Sequence, residues 1–201
     1  MIKIGSAAQE YTVHRTLFVR HSEYFRRARQ PGRSKERETG VITIDDIEPW
    51  VFNAFFSWLY RKQLPDIENW DAEFSSTGVI VSDDWFLVKL YAFGDRFEVP
   101  TFRIIVIKLT IALFNDSSMP YYKTIICAFN NLPIHSPMLD VLVDTHCALW
   151  HKEGDARVED LLTLADLPKD FLVRATKRYA AISRRGTPLK LSDYEEKVAT
   201  D

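Results

Sequence analysis

From Trp50 to Tyr60 the only polar side chains are Asn53 and Ser57, four residues apart. At 3.6 residues per turn these two share one stripe, and apolar groups occupy the rest of the cylinder. A helix of this kind must be covered on nearly all sides, so it has to be a central element. The chain, 201 residues and 23.4 kDa, is long enough to supply the cover as one domain, or as one domain with a helical extension. Just upstream, Val41-Ile42-Thr43-Ile44 is β-branched and reads as a strand. Asp45-Asp46-Ile47-Glu48-Pro49 ends that strand and opens the helix, with the carboxylates expected to cap it.

Ile2 and Ile4 alternate with polar neighbours, as do Tyr11 and Val13 after a Gly5-Ser6 break, which predicts two short strands joined by a turn. Leu17, Phe18, Tyr24, Phe25 and Ala28 then recur at helical spacing and predict a helix over 15–29, ended by Gln30-Pro31-Gly32. Residues 61–84 read as irregular, with a brief strand at Val79-Ile80-Val81. Helices are predicted over 85–95, 100–114, 119–131, 137–151 and 168–183. Pro100, Pro120, Pro137 and Pro168 each stand near a helix start, where a missing N–H costs nothing. In the last helix Phe171, Ala175, Tyr179 and Ile182 form the buried stripe. The expected class is α+β, a short three- to four-stranded sheet with a helical cluster, followed by an all-α C-terminal extension.

A formal net charge of −2 gives no electrostatic case for nucleic acid or an anionic membrane surface. The basic stretch Arg26-Arg27-Ala28-Arg29, continuing to Arg33, Lys35 and Arg37, is interrupted by Glu36 and Glu38 and reads as a solvated helix end. The longest apolar run, Ile104–Phe114, contains Lys108 and is too short to span a bilayer. Met1 to Ser6 has no apolar segment of signal-peptide type, and Cys127 and Cys147 make neither a disulfide framework nor a zinc motif. An intracellular location, cytoplasmic and/or nuclear, is therefore expected.

No catalytic constellation emerges, and no enzyme is expected. The 7 glycines form no phosphate-cradling loop. His146, Cys147 and His151 do not converge on one helix face, so neither a metal nor a cofactor is expected. Asp45-Asp46 and Asp83-Asp84 read as helix caps rather than general acids and bases. The excess lies in aromatics, 13 Phe, 8 Tyr and 5 Trp, which suits a dense core or an adhesive surface.

Four stretches in order resemble the BTB/POZ family of the Skp1/BTB superfamily, over roughly residues 1–115. Tyr11-Thr12-Val13-His14-Arg15-Thr16-Leu17 is similar to its strand-to-helix signature, and His21-Ser22-Glu23-Tyr24-Phe25 to the S-x-Y/F-F that follows. Gly40 to Phe52, ending in Ser57-Trp58-Leu59-Tyr60, is similar to its strand, acidic turn and central helix. Leu87 to Phe102, with Tyr91-Ala92-Phe93-Gly94-Asp95-Arg96-Phe97-Glu98-Val99-Pro100, is similar to its L-L-x-L-A-D-K-Y-x-V segment. The resemblance implies a BTB/POZ-like domain at 1–115; the helices that follow read as a helical extension at 116–183, and the polar stretch 184–201 as a disordered tail.

It further implies a protein-interaction module with protein partners and no small-molecule substrate: a homodimer, another partner, or a cullin if the chain is a ubiquitin-ligase adaptor. Met1 opens almost directly on the first strand, so the expected dimer lacks the strand exchange of many members. The expected interface residues are Leu17, Phe18, Phe55, Trp70, Phe74, Trp85 and Phe86. Val81 and Asp83 stand where cullin binders carry a hydrophobic-x-Glu motif. His14 is expected to be a structural hydrogen-bonding residue. An open apolar patch at Leu17 and Phe18 would place the partner there, whereas a covered one moves binding to the later helices.

Overall fold

The computed structural model describes residues 1–27, 41–65, 82–115, 119–150 and 157–182. The expected strand at 79–81, the tail 184–201, Trp70, Phe74, Val81 and the basic residues from Arg29 to Arg37 lie outside them. The α+β class stands, and contacts divide the chain into two compact units. The first comprises the described residues of Met1–Ile80 with Phe93–Phe102. The second comprises those of Val81–Ala92 with Arg103–Asp201.

In the first unit, β1 (Ile2–Ile4) is the middle strand of a three-stranded sheet. It pairs antiparallel with β2 (Gln9–Tyr11), Ile2 opposite Tyr11, and parallel with β3 (Ile42–Ile44), Ile2 beside Ile42. Alternation sends Ile2, Ile4 and Ile44 inward, while Lys3 pairs with Glu10 directly opposite at 2.9 Å. Gly5 turns the chain with φ +74°, and a Cβ there would stand 3.2 Å from Pro49 Cγ and 3.3 Å from Ile47 O. Glycine is required on both counts.

The single helix expected over 15–29 is two, α1 (Arg15–His21) and α2 (Glu23–Arg27), with Ser22 extended between them at φ −126°, ψ 120°. The break has a physical cause. Ser22 is buried, its hydroxyl donates to Phe97 O at 2.5 Å, and it accepts the Phe25 amide at 3.1 Å. A side-chain oxygen that takes an amide three residues on is an N-cap, so it starts a new helix.

The apolar segment forms α3 (Pro49–Arg61), with Pro49 in the first turn and Glu48 as N-cap. Asp45 and Asp46 do not cap it. Asp46 instead accepts from Arg96 at 2.7 Å. Val51, Phe52, Ala54, Phe55, Trp58 and Leu59 are buried, but Asn53, Phe56 and Tyr60 stay part-exposed or exposed, so one stripe remains open. The core is a lattice of rings around Phe55, with Phe18 at 5.7 Å, Trp58 at 5.8 Å, Phe93 at 4.8 Å and Phe102 at 5.3 Å between centroids. These separations suit tilted and edge-to-face packing.

Helices α4 (Asp83–Arg96) and α5 (Pro100–Asn115) run through both units, which divide after Ala92 and Phe102. The second unit continues with α6 (Tyr122–Asn131), α7 (Pro137–Leu149), α8 (Val158–Thr163), a 3-10 turn at Leu164–Asp166, and α9 (Lys169–Ile182). Sequence periodicity did not point to α8, a helix of only 6 residues. Tyr122, Ile125, Val143, Cys147, Phe171 and Ala175 form a core cluster with Phe129, Leu167 and Tyr179 against it. Phe171, Ala175 and Tyr179 thus do lie on the inner stripe of α9. Arg174 and Arg178 of α9 reach Asp140 and Asp144 of α7 at 3.2 and 2.6 Å, a matched pair of i, i+4 contacts that sets the register of the two helices.

Candidate interaction surface

The sheet and α1 of the first unit enclose a cavity of about 230 Å³, lined by Met1, Ile2, Val13, Arg15, Phe18, Phe25 and Ile42. Ile2, Phe18 and Phe25 are buried and make its inner wall. Met1, 46% exposed, and Arg15 stand at the rim with the half-buried Val13 and Ile42. Small-molecule sites usually enclose about 300–1,000 Å³ and converge several polar groups. This one is smaller, and six of its seven lining side chains are apolar, with one guanidinium. Its volume is that of one or two apolar side chains.

The rim is held in place by α3. The His14 amide donates to the Tyr60 hydroxyl at 2.9 Å, and the hydroxyl meets His14 Nδ1 at 2.9 Å. The hydroxyl thus bonds both the backbone and the ring of one residue. His14 therefore fastens the chain between Val13 and Arg15 to the end of α3. The Tyr11 hydroxyl donates to Asn53 Oδ1 at 2.7 Å along the same open stripe.

The expected interface residues divide sharply. Leu17 is half-buried on α1. Phe18 is 4% exposed and Phe55 is 0% exposed, both within the ring lattice. Phe86 is 3% exposed inside the second unit. As interior rings these three are not surface anchors, although Phe18 serves the cavity from inside. Trp85 is half-buried with Lys89 Nζ 5.1 Å over its ring, and Asp83 is exposed in the first turn of α4. Sequence reading missed Met1, Ile2, Val13, Arg15, Phe25 and Ile42 as one lining. Ile2 and Val13 were legible as strand residues with a buried face, but no periodicity shows that this face stops short of full cover.

Among the described residues no group of three or more His, Cys, Asp and Glu is placed to hold a metal ion, and no helix is long and apolar enough to cross a membrane. His146 is buried among the rings of Tyr122, Phe171 and Tyr179, at 5.8, 5.1 and 6.4 Å. The family model of the BTB/POZ domain matches residues 1–75. No curated protein and no solved structure matches the chain.

Proposed function

With residues 1–75 identified as a BTB/POZ domain, we propose that the chain is a protein-interaction module that associates with a second copy, or with another protein, through the apolar cavity between the sheet and α1. The observation that carries this is the cavity itself: Phe18 is covered and Leu17 half-buried, so α1 presents no open patch, but the exposed Met1 and the half-buried Val13 and Ile42 leave an apolar opening in front of a wall of Ile2, Phe18 and Phe25. Apolar surface left open in this way favours an anchor from a partner, and a few such anchors supply most of an interface's energy. The helical extension expected at 116–183 adds a further surface. An intracellular setting is supported by Cys127 and Cys147, neither of which is in a disulfide.

Light scattering on a size-exclusion column tests the self-associating form. The wild type should show a mass above that of a monomer at about 100 μM, a concentration that saturates micromolar contacts. Val13→Glu, which puts a charge at the cavity, should return it to monomer. A wild type that is monomeric throughout removes self-association and leaves a different protein as the partner.

A second reading, an adaptor for a cullin-based ubiquitin ligase, is favoured by one observation. Asp83 is exposed and Trp85 half-buried at the start of α4, where a cullin would be met. Titration with a purified cullin N-terminal domain decides it: no binding at micromolar concentrations removes this reading.

A further inference from the structure

The C-terminal ends of α1 and α3 carry four basic residues, Arg20 and His21 on one and Arg61 and Lys62 on the other. Lys62 caps α3 in the left-handed conformation, φ 59° and ψ 21°, and its amide donates to Trp58 O at 2.8 Å. Its ammonium lies 2.8 Å from His21 Nε2 and 4.8 Å above the ring of Trp58. The His21 ring is itself 5.4 Å from that of Trp58, so two cation-forming groups sit against one buried indole.

Elsewhere in this unit Arg26 is paired with Glu23, Arg27 with Glu98 and Arg96 with Asp46. Among the described residues no carboxylate pairs with Arg20, His21, Arg61 or Lys62. Cations at a helix C-terminus offset the macrodipole, but one or two serve that purpose. Three of them, Arg20, His21 and Lys62, act on one another across the two helix ends, which exceeds it.

We propose that Arg20, His21 and Lys62 form a docking site for a carboxylate side chain of an acidic segment in a protein partner. An ammonium donates, so Nε2 of His21 holds a lone pair and its ring is neutral in the free protein, with the proton on Nδ1. Burial first, then Lys62 and Arg20, hold the His21 imidazole below its ordinary range, and burial and Arg20 do the same to Lys62. Among the described residues no other charged group contributes to either shift. A carboxylate placed between Lys62 and Arg20 reverses the local sign, and His21 can then take a proton from solvent on Nε2 and donate it to the newcomer. Docking is therefore linked to uptake of one proton and tightens as the pH falls. The chain's net charge of −2 and the small extent of the cluster favour a peptide over a nucleic-acid strand.

The site deepens the interaction-module reading but uses no residue of the apolar cavity. The test is fluorescence anisotropy of a fluorescein-labelled oligo-glutamate peptide, titrated with the full chain at about 20 mM salt, where exposed charges are weakly screened. Binding should tighten several-fold from about pH 7.5 to about pH 6, the range in which a histidine titrates. Lys62→Asn, which keeps a residue suited to the left-handed cap, and the exposed Arg20→Gln should each weaken binding by roughly tenfold, about 1.4 kcal/mol. His21→Gln should still bind but lose the pH dependence, and Arg26→Gln should leave both unchanged. Binding that is independent of pH, or equally weakened by Arg26→Gln, overturns the proposal. So does a labelled single-stranded DNA that binds more tightly than the peptide and is lost with Lys62→Asn. Light scattering of Lys62→Asn should match the wild type, so failure here and failure of the cavity reading are told apart.

Discussion

Asp84 and Asp160 grip successive amides at the start of one helix: the Tyr121 amide donates to Asp84 Oδ2 at 2.9 Å and the Tyr122 amide to Asp160 Oδ1 at 2.8 Å. The first amides of any helix lack intrahelical partners, and α6 has no capping side chain of its own at Tyr121. Carboxylates from α4 and α8 supply the need from a distance. Arg157 completes the knot, its Nε 2.7 Å from Asp160 Oδ2 and its guanidinium 4.1 Å over the Tyr121 ring.

Removing Asp160, which is 1% exposed, leaves the Tyr122 amide without its acceptor and Arg157 without its carboxylate, with only Met119 O still accepting from the guanidinium. Asp160→Ala should cost about 3 kcal/mol in urea unfolding, and Asp160→Asn, which keeps one acceptor, less. Burial raises the Asp160 carboxyl above its ordinary range, outweighing the Tyr122 amide and Arg157, while Asp84 adds to the rise. The folded state therefore binds this proton more tightly than the unfolded chain, and the group's contribution falls as the pH rises through that interval. The stability of wild type minus that of Asp160→Asn should decrease as the pH rises above the ordinary carboxylate range. An increase would contradict the assignment.

Ser22 donates to Phe97 O and accepts the Phe25 amide, joining the α1–α2 break to the end of α4. Ser22→Ala leaves both partners buried and unsatisfied, and should cost about 1–3 kcal/mol. Chemical denaturation measures the loss. A neutral result would mean that the break does not depend on the hydroxyl.

The two cysteines should differ in reactivity. Burial pushes the Cys147 thiol up to about 11, with Asp144 adding to the rise, so about one molecule in ten thousand is thiolate at neutral pH. Cys127 is half-buried on α6. Native alkylation followed by mass spectrometry should label Cys127 first and Cys147 only on unfolding. Equal labelling would show that the core around α7 and α9 opens readily.

Phe55 packs against five other rings at full burial, whereas Leu162 is 77% exposed in α8. Phe55→Ala should cost about 3–5 kcal/mol and Leu162→Ser less than about 0.5 kcal/mol. The comparison by thermal or urea unfolding separates a core ring from an exposed apolar side chain, which sequence hydropathy scores alike.

Local patterns carried much of the architecture. Trp50–Tyr60 announced a central helix through composition alone, and the sheet was announced by the alternation of Ile2 and Ile4 and by the β-branched run Val41 to Ile44. Three of the four motifs lie within residues 1–75, which the BTB/POZ family model matches, and the fourth, Leu87 to Phe102, lies beyond the match. What they could not carry was the reach of single side chains across the chain. Nothing near Ser22 says that Phe97 O will meet its hydroxyl and split a helix. Nothing near Asp46 says that Arg96 will draw it away from capping α3.

The interaction surface divides along the same line. Hydrophobicity named Phe18, Phe55 and Phe86 as anchors, because a sequence records how apolar a residue is and not what lies over it. Tertiary packing buried those three and left open instead the cavity beneath Met1 and Val13 and the cationic corner at His21 and Lys62. The sequence by itself determined which elements form and which faces are apolar, since periodicity and propensity act over a few residues. Which apolar faces are covered, and which charges go unpaired, depends on contacts between distant segments, and only the folded arrangement decided them.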